Sequence, residues 1–187
     1  MKRIAIVLTV LGLIVGCQKT DTTQETAKTP EVAKTEAPQP QGPPMRPSDA
    51  SIKVDAVTVA AGQKGSFKIH YYAVEPAKAL VVPLKTIDGM HVDSVSWAGS
   101  MVEYLANKPV RVDTTTQLLL MAAVPVTEPM IPPDTGLFAT VYFTLRPNAK
   151  SGAIKETFAP PANHLSYVDT AKTLAQPYFE GGQITVQ

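Results

Sequence analysis

Cysteine is nearly absent from this 187-residue chain: there is one, Cys17. A single thiol excludes an intramolecular disulfide framework and any zinc site built on several cysteines. Histidine is scarce too, with three at positions 70, 91 and 164, so little is available for metal ligation or acid–base chemistry. Charge of one sign is missing, because 17 Lys+Arg balance 16 Asp+Glu, which removes the general attraction to a phosphate backbone and with it a nucleic-acid partner. Aromatic residues make up only 6%, with one tryptophan. The one long apolar run, Ile4 to Val15, is too short for a permanent membrane span, which needs about 20 residues. At roughly 150 residues per domain, the length suits one domain plus an appendage.

That apolar run follows Met1-Lys2-Arg3 and precedes Gly16-Cys17, the layout of a secretory leader: charged start, short apolar core, small residue before the cleavage point. The sole cysteine directly after Ile14-Val15-Gly16 resembles the lipobox of bacterial lipoproteins. The resemblance implies that residues 1–16 are removed and that Cys17 is acylated, becoming the membrane anchor. Gln18 rather than Asp at the next position points to the outer membrane or cell surface.

From Gln18 to Ala50 the chain is Thr, Lys, Glu, Gln, Ala and Pro, with Val32 and Met45 its only large apolar side chains. Such a segment buries too little surface to offset its chain entropy and is expected to be a disordered tether. Pro38, Pro40, Pro43, Pro44 and Pro47 stiffen it towards polyproline II, at about 3.1 Å per residue. It holds the following domain off the membrane, or serves as a Pro-rich recognition segment.

Beyond Ser51 the periodicity is two. Ile52 and Val54 alternate with Lys53 and Asp55, and then the parity changes to Val57 and Val59, which predicts a bulge or a strand passing between two sheets. Phe67, Ile69, Tyr71 and Ala73 alternate with Lys68, His70 and Tyr72, a half-buried strand. Leu80–Ile87 reads as a strand that Pro83 places at an edge or break. Strands are also predicted at Val92–Trp97 and Met101–Tyr104, and at Leu137–Leu145. Val110–Asp113 and Leu118–Val124 form a hairpin with a central, doubly apolar second arm. Short pieces follow at Ile154–Phe158, Leu165–Val168 and Ile184–Val186. With no 3.6-residue periodicity, this is an all-β chain, a jelly-roll or immunoglobulin-like β-sandwich over 51–187 of about nine strands.

Asp93-Ser94-Val95-Ser96-Trp97-Ala98-Gly99-Ser100, Gly136 to Leu145, Ala149-x-x-Gly152-x-Ile154, His164 to Asp169 and Gly182-Gln183-Ile184-Thr185-Val186 occur in this order. Together they resemble a cohesin domain. Cohesins are jelly-roll sandwiches, related to bacterial carbohydrate-binding modules, that bind dockerin domains in polysaccharide-degrading assemblies. The resemblance implies a non-catalytic module whose partner is a dockerin-like protein. Direct carbohydrate binding and a structural envelope role stand as alternatives.

No residue grouping spells out catalysis. Trp97-Ala98-Gly99-Ser100-Met101 is not a nucleophile elbow. Asp88, Asp93, Asp113, Asp134 and Asp169 lack the D-x-[DN]-x-[DN]-G spacing of a calcium loop and read as turn residues. No cofactor or metal is expected. Trp97 reads as core rather than sugar platform. Lys68, His70 and Tyr72 form a polar row that is either a protein-binding face or a solvated one. Phe138 and Tyr142, four apart, are either a platform or a second inner face. The proline-rich loop Pro125–Asp134 is expected to expose Met130 and Ile131 for binding.

Overall fold

The computed structural model describes residues 46–159, 165–171 and 174–187. The leader 1–16, Cys17, the tether as far as Met45, and His164 lie outside the described residues. The described residues form thirteen strands: β1 Arg46–Val54, β2 Val57–Val59, β3 Lys64–Tyr72, β4 Ala79–Lys85, β5 Met90–Ser96, β6 Val110–Asp113, β7 Leu118–Ala123, β8 Thr135–Leu145, β9 Gly152–Ala153, β10 Lys155–Glu156, β11 Ser166–Val168, β12 Leu174–Glu180 and β13 Gln183–Val186. The main sheet runs β5-β8-β3-β1-β12-β11-β4-β7-β6, with β10 beside β4, and a small sheet runs β2-β13-β9. The count exceeds nine because several pieces are only two or three residues long. Both halves of the main sheet, and Val59 and Ile184 of the small one, feed one hydrophobic cluster, as an all-β sandwich requires.

β1 is hydrogen-bonded on both sides, antiparallel to β3 (Ile52 opposite Tyr71) and parallel to β12 (Ile52 beside Phe179). The parity change after Val54 is the passage between sheets: the chain leaves β1 and re-enters as β2, beside β13. That crossing is tight. A Cβ on Gly182 would overlap the carbonyl oxygens of Asp55 and Val54, and backbone cannot swing aside as a side chain can.

Several expectations are corrected. β1 begins at Arg46, upstream of Ser51, and Ala50 is buried. Met101–Tyr104 is a run of turns, closed by Ser100 N–H to Trp97 O and Glu103 N–H to Ser100 O. β4 is interior despite Pro83. The carbonyl of Pro83 faces away from β7 and accepts from Thr157 N–H, between Val81, paired to β11, and Lys85, paired to β10. The missing proline donor therefore falls in a gap of the neighbouring strand. β12 was not anticipated. Its Pro177 lies where the β1–β12 register shifts between Pro47 and Ser51, so the ladder loses little. The hairpin β6–β7 forms as expected, with β7 between β4 and β6.

Two outcomes test this description. Gly182→Ala should lower stability by about 1–3 kcal/mol, the cost typical of forced overpacking, read as a drop in the denaturant midpoint. A chain begun at Arg46 should melt higher than one begun at Ser51, which lacks buried Ala50 and the backbone pairing of Arg46 and Pro47 to β12; equal melting temperatures would contradict the role given to this segment.

Candidate functional site

The outer face of β5-β8-β3-β1-β12 collects most of the residues singled out from the sequence. On β3, Phe67, Ile69 and Tyr71 are buried, so Lys64, Ser66, Lys68, His70 and Tyr72 turn outward. Tyr142 of β8 is opposite Ser66 and therefore shares this face. Lys68, His70, Tyr72 and Tyr142 are thus brought together. Tyr72 and Tyr142 are 41% and 46% exposed. At about 3.3 Å per residue, Tyr142 stands roughly 20 Å from Tyr72 along the strands.

Phe138 and Tyr142 part company because of a bulge. Ile69 pairs with Ala139 and His70 with Leu137, leaving Phe138 as the extra residue of β8. The inserted residue turns inward, where Phe138 is fully buried and meets Trp97 edge-on, centroids 5.1 Å apart at 86°. Trp97 packs against the core from a partly buried position, as expected. The reading of Phe138 and Tyr142 as one row is corrected: one is core and the other surface.

Tyr178 joins the face from β12. Tyr72 and Tyr178 flank Ser51 in one row across three strands, two strand spacings or about 10 Å apart. Below them, Lys53 lies between His70 and Glu180. Lys53 bonds Glu180 at 2.9 Å, an exposed pair that raises the lysine pKa, and His70 meets Asp55 at 3.2 Å. At the β5 end Asp93 is a bulge residue between Val92 and Ser94. It accepts from Thr144 Oγ1 at 2.7 Å and meets His91 Nδ1 at 3.0 Å. These contacts, the Thr144 hydrogen bond foremost, hold the Asp93 carboxyl below its usual range. Thr144 donates to the carboxylate, not to the imidazole, so this trio is not a base-activated hydroxyl.

Between these charges the face is small and polar: Ser94, Ser96, Thr140, Ser66 and Ser51. Large amphipathic tyrosines among short hydroxyl side chains give wide contact area at low entropy cost.

The Pro125–Asp134 loop is pinned rather than loose. Glu128 accepts from the backbone N–H groups of Ala106 (2.9 Å), Val126 (3.0 Å) and Thr127 (3.1 Å), which drives its carboxyl down to about 2. Tyr104 donates its hydroxyl to the carbonyls of Pro129 and Met130. Ile131 is corrected: it pairs with Ala77 through reciprocal 2.9 Å backbone bonds and is wholly buried. Met130 stays 38% exposed and Val126 70%. Sequence reasoning assigned the loop by its length and prolines and had no means of knowing that it is anchored through an inward isoleucine.

Among the described residues, no group of three or more His, Cys, Asp and Glu is placed to hold a metal ion. The phenol of Tyr71, buried without a hydrogen-bond partner among the described residues, is pushed up by desolvation and stays protonated. An open depression of about 380 Å³ near Ile154, Lys155, Glu156 and Phe179 lacks the enclosure of a small-molecule pocket.

By sequence, no family model and no curated protein matches the chain. By structure, it is similar to a cohesin in a type I cohesin–dockerin complex from Clostridium thermocellum, at 16% identity and TM-score 0.61, over 74% of this chain and 99% of that one. It is similar to the third cohesin of ScaC from Acetivibrio cellulolyticus, solved with the ScaB dockerin, at 18% and 0.62, over 73% and 98%. A non-cellulosomal cohesin from the archaeon Archaeoglobus fulgidus aligns at 10% and 0.58, over 74% and 91%. The fold is the cohesin-type jelly-roll sandwich.

The loop yields a pH prediction. The Glu128 pKa is depressed in the folded state, so its contribution is fully present above its ordinary value near 4.5 and is lost as pH falls towards about 2. The protection factors of the Ala106, Val126 and Thr127 amides should fall over that window, and Glu128→Gln should show lowered protection already at neutral pH. Unchanged protection in the variant would contradict the pinning.

Proposed function

We propose that this chain is a non-catalytic, lipid-anchored capture module of the cell envelope, holding a dockerin-like protein partner on the outer face of β5-β8-β3-β1-β12. The observation carrying this reading is the face itself: Tyr72, Tyr142 and Tyr178 stand exposed on paired strands among serines and threonines. Such composition favours protein recognition, with the tyrosines as anchors. The likeness to cohesins solved with dockerins supports the partner class. Acylated Cys17 and the tether that ends before Arg46 supply the anchor and reach, so the captured protein is retained at the surface, in polysaccharide-related work.

One observation favours a second reading. Tyr72 and Tyr178 flank the small Ser51, an arrangement also suited to laying an extended glycan across the strands.

The test is titration of the domain with a dockerin bearing paired calcium loops, with and without calcium, beside a panel of insoluble polysaccharides. Tyr72→Ala and Tyr142→Ala should each weaken dockerin binding about tenfold or more, the ~1.4 kcal/mol of a hot-spot side chain. Val126→Ala, on the loop, should not. Retention on polysaccharide alone, abolished by Tyr178→Ala, would replace the protein reading with the glycan one.

A further inference from the structure

Among the described residues, the strand at one end of the main sheet, β6, pairs only with β7. Ala122 N–H donates to the carbonyl of Pro109, and Val124 N–H to that of Asn107. Odd-numbered residues thus turn their backbone groups to β7, and by the two-residue period those of Val110 and Val112 point off the sheet. The side chains tell a second story. Val110 and Val112 are opposite Met121 and Leu119, which are fully buried, yet they are themselves 41% and 42% exposed. The core-facing side of the sheet therefore runs out uncovered at β6. The opposite edge, β5, is interrupted by its bulge at Asp93, a usual way of blunting an edge. The pairing of β6 with β7 has no such interruption.

We propose that β6 pairs antiparallel with β6 of a second copy of this chain, about a two-fold axis at Val112. Charge selects the register. Centring on Arg111 would set Arg111 against Arg111, and centring on Val110 would set Val112 against Lys108. Centring on Val112 places Arg111 opposite Asp113 of the second copy, twice, with Val112 against Val112. Arg111 and Asp113 already interact within one chain, so the dimer closes an alternating ring of four charges. Arg111 and Asp113 occupy the non-hydrogen-bonded positions, where side chains approach most closely, while Val112 exchanges both N–H···O bonds with its counterpart. The added strand covers Val110 and Val112. An isologous contact of this kind closes at two copies. Because β6 is at the far end of the strand order from β5, β8 and β3, the tyrosine face stays free, and the dimer presents two of them.

The contact is small, so association should be weak and concentration-dependent. The test uses the full chain with Cys17→Ser, leaving no native thiol. Added Val112→Cys should cross-link under mild oxidation, since the Cα atoms of a hydrogen-bonded antiparallel pair are about 5.5 Å apart, whereas Val110→Cys, facing Thr114 of the second copy, should not. In sedimentation, dimer should grow with concentration, survive Arg111→Lys and be lost in Arg111→Asp, which leaves the Asp113 turn contacts in place. Unchanged melting temperatures would show that the variants still fold. A monomer at all concentrations up to about 1 mM, equal cross-linking through both cysteines, or a dimer indifferent to Arg111→Asp would overturn the proposal.

Discussion

The double pairing of β1 is the constraint on which the rest of this sandwich depends. β1 is antiparallel to β3 on one side and parallel to β12 on the other, so it joins the sheet half that carries the tyrosines to the half built from β11, β4, β7 and β6. Parallel pairing needs a long connection, and here nearly the whole domain separates β1 from β12. The fold closes only when its first long strand meets one of its last. Gly182 marks the cost of that closure. The chain entering β13 passes against the carbonyls that leave β1, and only a residue without Cβ fits.

From that closure follows the division of labour between faces. Inward residues of β3 and β8 supply Phe67, Ile69, Tyr71, Val141 and Phe143 to the core, and the outward ones are left to make a flat, hydroxyl-rich surface. The polar contacts on it, the Lys53–Glu180 ion pair and the His70–Asp55 hydrogen bond, are exposed and contribute little to stability. They instead set a local pattern of charge around the tyrosines, the kind of feature that steers and selects a partner. The loop beside β8 is built differently: buried Ile131 and the Glu128 carboxylate fix its backbone, so Met130 and Val126 are presented from a rigid support.

Strand periodicity was the legible part of the sequence. β3 was readable because one of its faces is buried, so alternation survives there even though β8 is bulged opposite Ile69 and His70, and β7 because its apolar run lies between β4 and β6. The change of parity at Val57 pointed to a bulge or a passage between sheets, and the passage is what forms. The unreadable parts share a cause, which is that they depend on partner strands. Pro83 is harmless because β10 and β11 are interrupted beside it, and Pro177 because the β1 register shifts there. Phe138 turns inward through a bulge defined by β3, not by any feature of Gly136–Leu145 taken alone. Ile131 is buried because Ala77 pairs with it. Of the binding residues chosen from the sequence, Lys68, His70, Tyr72 and Tyr142 share a face since they obey simple alternation; Tyr178 needed β12 to be recognised as a strand before its place in the row could be known.

The account stands or falls on whether the outer face of β5-β8-β3-β1-β12 is where a partner binds. The most direct measurement is backbone and side-chain shift mapping by NMR on addition of a calcium-loaded dockerin. The account predicts perturbations concentrated at Ser66, Lys68, His70, Tyr72, Tyr142 and Tyr178, with the core and β6 unmoved. Binding that leaves those residues unchanged, and perturbs the loops or the opposite half-sheet instead, would contradict it.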